Sequence, residues 1–305
     1  MSSFIGKTYR AQGKLLLTGE YFVLDDAVAL ALPTKMGQRF EILEGKNSDL
    51  TWESYDSDGS CWFSGTYAIP DLELIQSNQT EVALRLQQLL RQVFSHSNLS
   101  SQALSGCNIQ AHLEFSRHWG LGSSSTLISF LAELTGVNPY QLLEATFGGS
   151  GYDLACAQAT GPILYQNKTA QLVKFQPDFA EQLYFVYLGK KQNSREGIQR
   201  YRALGQIASE TIATVSQLTH DFLKSPDLDA FESNIIHHET LVAKILNLPR
   251  AQELWFADFW GQIKSLGAWG GDFVLATSNR EAAETKAYFQ KYGFTVLLPY
   301  AEMVL

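Results

Sequence analysis

The sequence predicts an α+β chain of two domains, and three observations carry that prediction. From residue 3 to 63 the chain is built of short β-rich runs, KLLLTGEYFVL, VALALPT, QRFEIL and LTWESY, separated by glycine, asparagine and aspartate turns. The second half instead repeats apolar residues at helical spacing, over 195–218, 228–246 and 251–266. Strands and helices follow one another irregularly, not strand by helix as a doubly wound parallel sheet requires.

The remaining elements follow the same logic. Val82, Leu86, Leu89, Leu90 and Val93 fall on one side of a helix. CNIQAHLEF, ending at Phe115, alternates apolar and polar residues as a half-buried strand does; beyond it Leu127, Phe130, Leu131 and Leu134 recur at helical spacing. Two shorter helical segments cover 140–147 and 152–159. GPILYQNKTAQLVKF reads as a hairpin, the chain crosses Pro177, and EQLYFVYLG opens a second strand-then-helix set with further strands at DFVLAT and FTVLL. The domain break is therefore expected near 175–181, giving domains 1–176 and 177–305.

With 305 residues, 45% of them hydrophobic, the chain can bury a sizeable core. A net charge of −8 argues against nucleic acid as a partner, because such proteins usually carry a basic stripe. Cys61, Cys107 and Cys156 are far apart and odd in number, which fits neither a zinc site nor a disulfide framework and suits a reducing cytoplasm. No apolar run has the length of a membrane span, and MSSFIGKTYRAQGK lacks the apolar core of an export signal. A cytoplasmic monomer or homodimer acting on a small molecule, with no membrane partner, is the expectation.

The segment SRHWGLGSSSTLIS, from Ser116 to Ser129, links the alternating strand to the amphipathic helix. Glycine lets backbone approach an anion closely, and the first N–H groups of a helix lack partners within it. A phosphoryl group is their natural occupant. The helix dipole adds only ~0.3–1 kcal/mol to such binding, so cations must come from elsewhere. A plain linking turn is the alternative. Neither a Walker loop nor a G-x-G-x-x-G dinucleotide motif occurs in the chain.

Three other segments give the loop a context. GKLLLTGEYFVL supplies Gly13, Lys14, Gly19, Glu20 and Tyr21; GSGYDLA runs from Gly149 to Ala155; GAWGGDFVLA, from Gly267 to Ala276, is a glycine-rich turn before a strand. In this order the four resemble the motifs of the GHMP small-molecule kinases. Those motifs are a Gly-Lys strand with a Gly-Glu-His or Gly-Glu-Tyr turn, then GLGSSA, then a final glycine turn. GSGxDxA is the form of the mevalonate and phosphomevalonate branches.

The resemblance implies a two-domain GHMP fold, an N-terminal β-rich α/β domain followed by a ferredoxin-like C-terminal domain, with the active site between them. It implies ATP and Mg²⁺ as cofactors. Gly120, Leu121, Gly122, Ser123, Ser124 and Ser125 would wrap the nucleotide phosphates, with Ser124 also offering an oxygen to magnesium and Glu144 as the nearest candidate for a second ligand. Asp153 would be the general base toward an acceptor hydroxyl and Lys14 its cationic partner. Glu20, Tyr21, Gly270 and Gly271 fall on the acceptor side, joined by Lys191, Ser194 and Arg195, where arginine can grip an acid bidentately.

Each of these has an ordinary alternative. Asp153 could cap its helix, Glu20 could pair a nearby cation, Ser194 could be an N-cap, and Glu144 could be a solvated helix carboxylate. His237 and His238 are adjacent and lack the i, i+4 spacing of a helical zinc pair, so metal is not expected there. Two departures from the family stand out, Gln12 where proline is usual and Trp269 in place of a small residue. The expected function is an ATP-dependent phosphotransferase acting on a small hydroxy acid or its phosphate, mevalonate or phosphomevalonate first. A diphosphomevalonate decarboxylase and a non-catalytic ligand-binding regulator are the alternatives.

Overall fold

The computed structural model describes residues 2–190, 194–267, 269 and 271–305, without the side chain of Ser194. The chain opens with β1 (Thr8–Leu16), β2 (Ala29–Glu44), β3 (Leu50–Tyr55), β4 (Cys61–Ala68) and β5 (Glu73–Ser77). Then come α1 (Thr80–His96), β6 (Cys107–Leu113), α2 (Ser123–Thr135), α3 (Pro139–Thr146), α4 (Tyr152–Gln158) and the hairpin β7 (Ile163–Gln166) and β8 (Thr169–Leu172). The rest comprises β9 (Leu183–Tyr187), α5 (Ser194–Ala203), α6 (Ser209–Leu223), α7 (Leu228–Leu246), α8 (Ala251–Trp255), β10 (Ile263–Ser265), β11 (Phe273–Thr277), α9 (Ala282–Lys291), β12 (Leu297–Pro299) and α10 (Tyr300–Met303).

Contacts group the chain into two compact units. The first comprises Met1–Gly13, Met36–Arg117 and Leu121–Gln158, the second Lys14–Lys35, His118–Gly120 and Ala159–Leu305. The sequence suggested one break near 175–181, whereas this division falls at Gln158. The β7–β8 hairpin explains the difference, because Ile163–Tyr165 pair with Ala29–Ala31 at the start of β2 and belong with that stretch.

In the first unit the strands run in the order β5-β4-β3-β6-β2, antiparallel except for the β3–β6 pair. Alternation along β3 and β6 turns Trp52, Ile109 and Ala111 into an apolar core shared with Phe40, Phe63, Leu90 and Leu131. Phe130 of α2 stacks face to face on Phe40 at 4.2 Å, and the edges of Tyr9 and Trp52 close on it at 5.1 and 6.2 Å. These contacts fix the roll of α2, which also packs against α3 and α4.

The second unit holds the antiparallel sheet β10-β11-β9-β12, buried against Phe256, Phe259 and Phe289. Helices α6 and α7 pack together, and Val215, Val242 and Leu246 meet Phe22, Tyr201 and Trp269.

Several expected elements change, beginning with VALALPT and QRFEIL, which join in the single strand β2, and FTVLL, of which only Leu297 and Leu298 fall in β12. The helix expected over 195–218 is two, since Leu204 and Gly205 turn back onto Tyr201 and Arg202 carbonyls and Gly205 adopts φ +79°. The helix expected over 251–266 stops at Trp255, and Ile263–Ser265 pair with β11 instead; Gly261 makes this possible, because a Cβ there would overlap the Thr277 carbonyl. KLLLTGEYFVL is a strand only to Leu16, after which a left-handed Gly19 and a short 3₁₀ turn, Phe22–Asp25, redirect it.

Candidate active site

The glycines decide the shape of the loop before α2. Gly120 and Gly122 adopt φ +66° and +94°, a region costly for residues with a Cβ. Gly122 is the N-cap of α2, and no side chain caps that end. The leading amides of the helix are thus left in the state that suits an anion. Of the serines, Ser125 is buried and donates its hydroxyl back to the Gly122 carbonyl at 2.8 Å, while Ser124 is exposed. Leu121 is buried and serves packing.

Within the second unit, Lys14 donates from Nζ to the Gly120 carbonyl at 2.9 Å. Asp272, from the final glycine-rich turn, packs so closely on Gly120 that a Cβ there would overlap its carboxylate. Backbone bonds between Asp272 and both Leu188 and Lys190, each 2.8 Å, fix the main chain that carries this carboxylate. The first glycine of the loop is therefore bracketed by an ammonium and a carboxylate.

In the first unit Asp153 is half-buried in the first turn of α4, its Oδ1 accepting the Leu154 N–H at 3.1 Å. Glu144 is exposed on α3. Hard oxygens such as those of Ser124 and Glu144 are the donor type magnesium takes. Among the described residues no group of three or more His, Cys, Asp or Glu side chains could hold a metal by itself. Arg195 is exposed near the start of α5, which Ser194 opens, and Gly271 is buried; Lys191 and Gly270 lie outside the described residues.

Glu20 has the most complete set of partners. Its side chain is wholly buried, paired through Oε1 with Lys264 of β10 and facing His238 Nε2 of α7 at 3.2 Å through Oε2. The alternative of a structural partner for a cation is the one realised in this chain. Burial opposes ionisation, yet Lys264 and His238 together hold the Glu20 carboxyl below its ordinary range. Beside it, Glu239 accepts from Ser265 Oγ at 3.1 Å, and burial pushes its pKa up to about 7 against the pull of Lys264. Tyr21 is half-buried, stacked on Tyr201 with ring centres 5.7 Å apart, and its hydroxyl bonds the Trp269 backbone; burial raises it to about 12, so it stays protonated.

No protein-family model matches the sequence, and no curated protein is similar to it in sequence. Solved structures are similar in fold. The mevalonate kinase of Methanococcus jannaschii superposes with a TM-score of 0.70 at 16% identity, over 96% of this chain and 97% of that one. The Streptococcus pneumoniae phosphomevalonate kinase in complex with phosphomevalonate and AMPPNP gives 0.66 at 16% identity, over 96% and 99%. A mevalonate diphosphate decarboxylase from Legionella pneumophila gives 0.58 at 12%, over 95% and 99%. The fold is that of the GHMP kinases.

On this GHMP frame, sequence reasoning missed Lys264, Glu239 and Asp272. Lys264 stands in a short apolar strand, QIKSL, where an unpaired lysine would be costly. His238 and Glu239 lie on the buried stripe of α7 with Phe231, Ile235, Val242 and Leu246. A polar pair at core positions of an amphipathic helix was the available clue. Among the described residues no helix is long and apolar enough to cross a membrane.

Proposed function

We propose that the chain transfers the terminal phosphoryl group of ATP to a small hydroxy acid or its phosphate, with mevalonate and phosphomevalonate as the leading acceptors. The observation that carries this reading is the loop itself, two left-handed glycines opening an uncapped helix with the Lys14 ammonium on its first carbonyl.

Phosphoryl transfer asks a protein mainly for positioning and charge neutralisation. The amides at the start of α2 and the backbone of Gly120 and Gly122 receive the phosphates. Ser124 and Glu144 would hold magnesium, which supplies charge neutralisation at the phosphate oxygens when bound. Lys14, bonded to the Gly120 carbonyl, would bring a positive charge to the transferring group. Asp153 orients the acceptor hydroxyl and takes its proton. Arg195, exposed on α5, offers an acidic acceptor a bidentate partner, and Tyr21 with Gly271 borders the same acceptor.

The test is a coupled ADP-release screen over mevalonate, its two phosphorylated forms, homoserine and common sugars, with products identified by mass. ADP formation with mevalonate or phosphomevalonate is expected. Carbon dioxide released with ADP would select the decarboxylase, whose representative from Legionella shares the fold. Binding of ATP with no acceptor turned over would select a regulator.

A further inference from the structure

Phosphotransfer makes use of Tyr21 but not of the four ionisable side chains behind it. Glu20, His238, Glu239 and Lys264 are all fully shielded from water. Lys264 Nζ pairs with Glu20, donates to the Ser265 carbonyl at 3.1 Å and lies 3.7 Å from Glu239 Oε1. Among the described residues, Glu20 Oε2, His238 Nδ1 and Glu239 Oε1 are buried without a hydrogen-bond partner. One ammonium thus faces two carboxyl groups and an imidazole. With both carboxyls ionised the cluster would bury a net negative charge, which is costly; one proton on Glu239 makes it neutral.

The imidazole points to the same shortage. His238 Nε2 lies 3.4 Å from the Gly19 N–H, which needs a lone pair, and 3.2 Å from Glu20 Oε2, which needs a proton. Burial and Lys264 both keep His238 from protonating, and Tyr21 beside Glu20 is neutral, so the proton falls to Glu239.

What the cluster grips is a strained turn. Tyr21 adopts φ 62°, ψ −44°, and the Phe22 N–H closes on the Glu20 carbonyl at 2.8 Å. This is the rare positive-φ γ-turn, built on a bulky residue, and it persists only where surroundings over-determine it. The Glu20 side chain and the Gly19 amide are its ties to the cluster. On its far side, Gly197 of α5 leaves space for the Tyr21 hydroxyl, since a Cβ there would overlap it.

We infer that Lys264, His238 and Glu239 are positioning residues that act through Glu20 to hold Tyr21 in its strained turn, and that a single proton shared within the cluster sets how firmly they hold it. Its expression in catalysis rests on the proposed acceptor role of Tyr21. Loss of the proton sets the Glu239 and Glu20 charges against each other and loosens the turn.

Two measurements test this. In protein labelled with ¹⁵N-glycine, the Gly19 amide resonance of the parent should titrate with a midpoint near 7, following Glu239, and Glu239→Gln should abolish that titration. In turnover, acceptor KM of the parent should rise about fivefold from about pH 6 to about pH 8 while nucleotide KM changes less than about twofold, and Glu239→Gln should make acceptor KM insensitive to pH. Lys264→Met should raise acceptor KM with partial rescue by Lys264→Arg; where Lys264→Met does not fold, the isosteric Glu239→Gln carries the test. A Gly19 resonance that does not titrate, or titrates alike in Glu239→Gln, overturns the anchor. Acceptor and nucleotide KM moving together overturns it as well. A Gly19 titration removed by Glu239→Gln supports the anchor even if no acceptor is turned over, an outcome that would reject only the phosphotransfer reading.

Discussion

The loop before α2 and the turn after β1 solve similar problems in opposite ways. Both redirect the chain with left-handed glycines, Gly120 and Gly122 in one and Gly19 in the other. The loop leaves its amides without a side-chain cap and its Ser124 hydroxyl in water. The turn is closed, with Glu20 only 1% exposed and tied to Lys264 and His238. On the proposed reading the open end receives charge, whereas the closed one pairs its charges internally around Glu20. Damage to the first should therefore appear in function with the fold intact, and damage to the second in stability as well as in acceptor KM.

The largest effect expected is on the chemistry assigned beside the loop. Asp153→Asn should lower turnover by ~10²–10⁴ with little change in nucleotide affinity, as loss of a general base does; near-parental turnover in a steady-state assay would remove Asp153 from that role. The closed turn should respond in stability. Lys264→Met leaves two buried carboxyls without their cation and should cost about 3–5 kcal/mol in chemical denaturation. A loss under about 1 kcal/mol would mean that the pair is not held as described.

A pH series sharpens the contrast. The folded chain keeps a proton on Glu239 that the unfolded chain releases near 4.5, up to its folded value of about 7. Stability from this group is thus present at low pH and lost as pH rises across that window. Relative to the parent, Glu239→Gln should gain roughly 3 kcal/mol between those pH values and nothing beyond. His238, whose pKa is lowered by burial, works in the opposite sense near its ordinary 6.5, and it is present in both proteins, so the difference isolates Glu239. A flat difference in denaturation midpoints would rule out the buried proton. The smallest effect belongs to the loop: Ser124→Ala should weaken Mg-ATP binding about tenfold by calorimetry while shifting stability by less than about 0.5 kcal/mol.

Much of this was readable from the residues. Periodicity located α7 to the residue, and the stripe from Val82 to Val93 lies inside α1, because both helices carry uninterrupted apolar stripes. The Gly-Ser segment was correctly read as a strand-to-helix turn. Failures came where tertiary pairing outweighed local pattern: the aromatic-rich run after α8 looked helical, yet Ile263–Ser265 find their hydrogen bonds on β11. The charged cluster was less legible still, since Lys264 and Glu20 are 244 residues apart and only folding joins them. Lys14 was expected to be a catalytic cation, and nothing local foretold its bond to Gly120.

The rings beneath α2 have a practical consequence. Tyr9, Trp52 and Phe130 lie edge to face under the helix that carries the loop, and such asymmetric aromatic clusters give near-ultraviolet dichroism. This cluster is one contributor, beside others such as Trp119 with Phe273 and Trp260 with Tyr288, to an intrinsic optical gauge of tertiary packing. A loop variant that falls silent while keeping that spectrum has lost reactivity rather than architecture, and no added label is needed to tell the two apart.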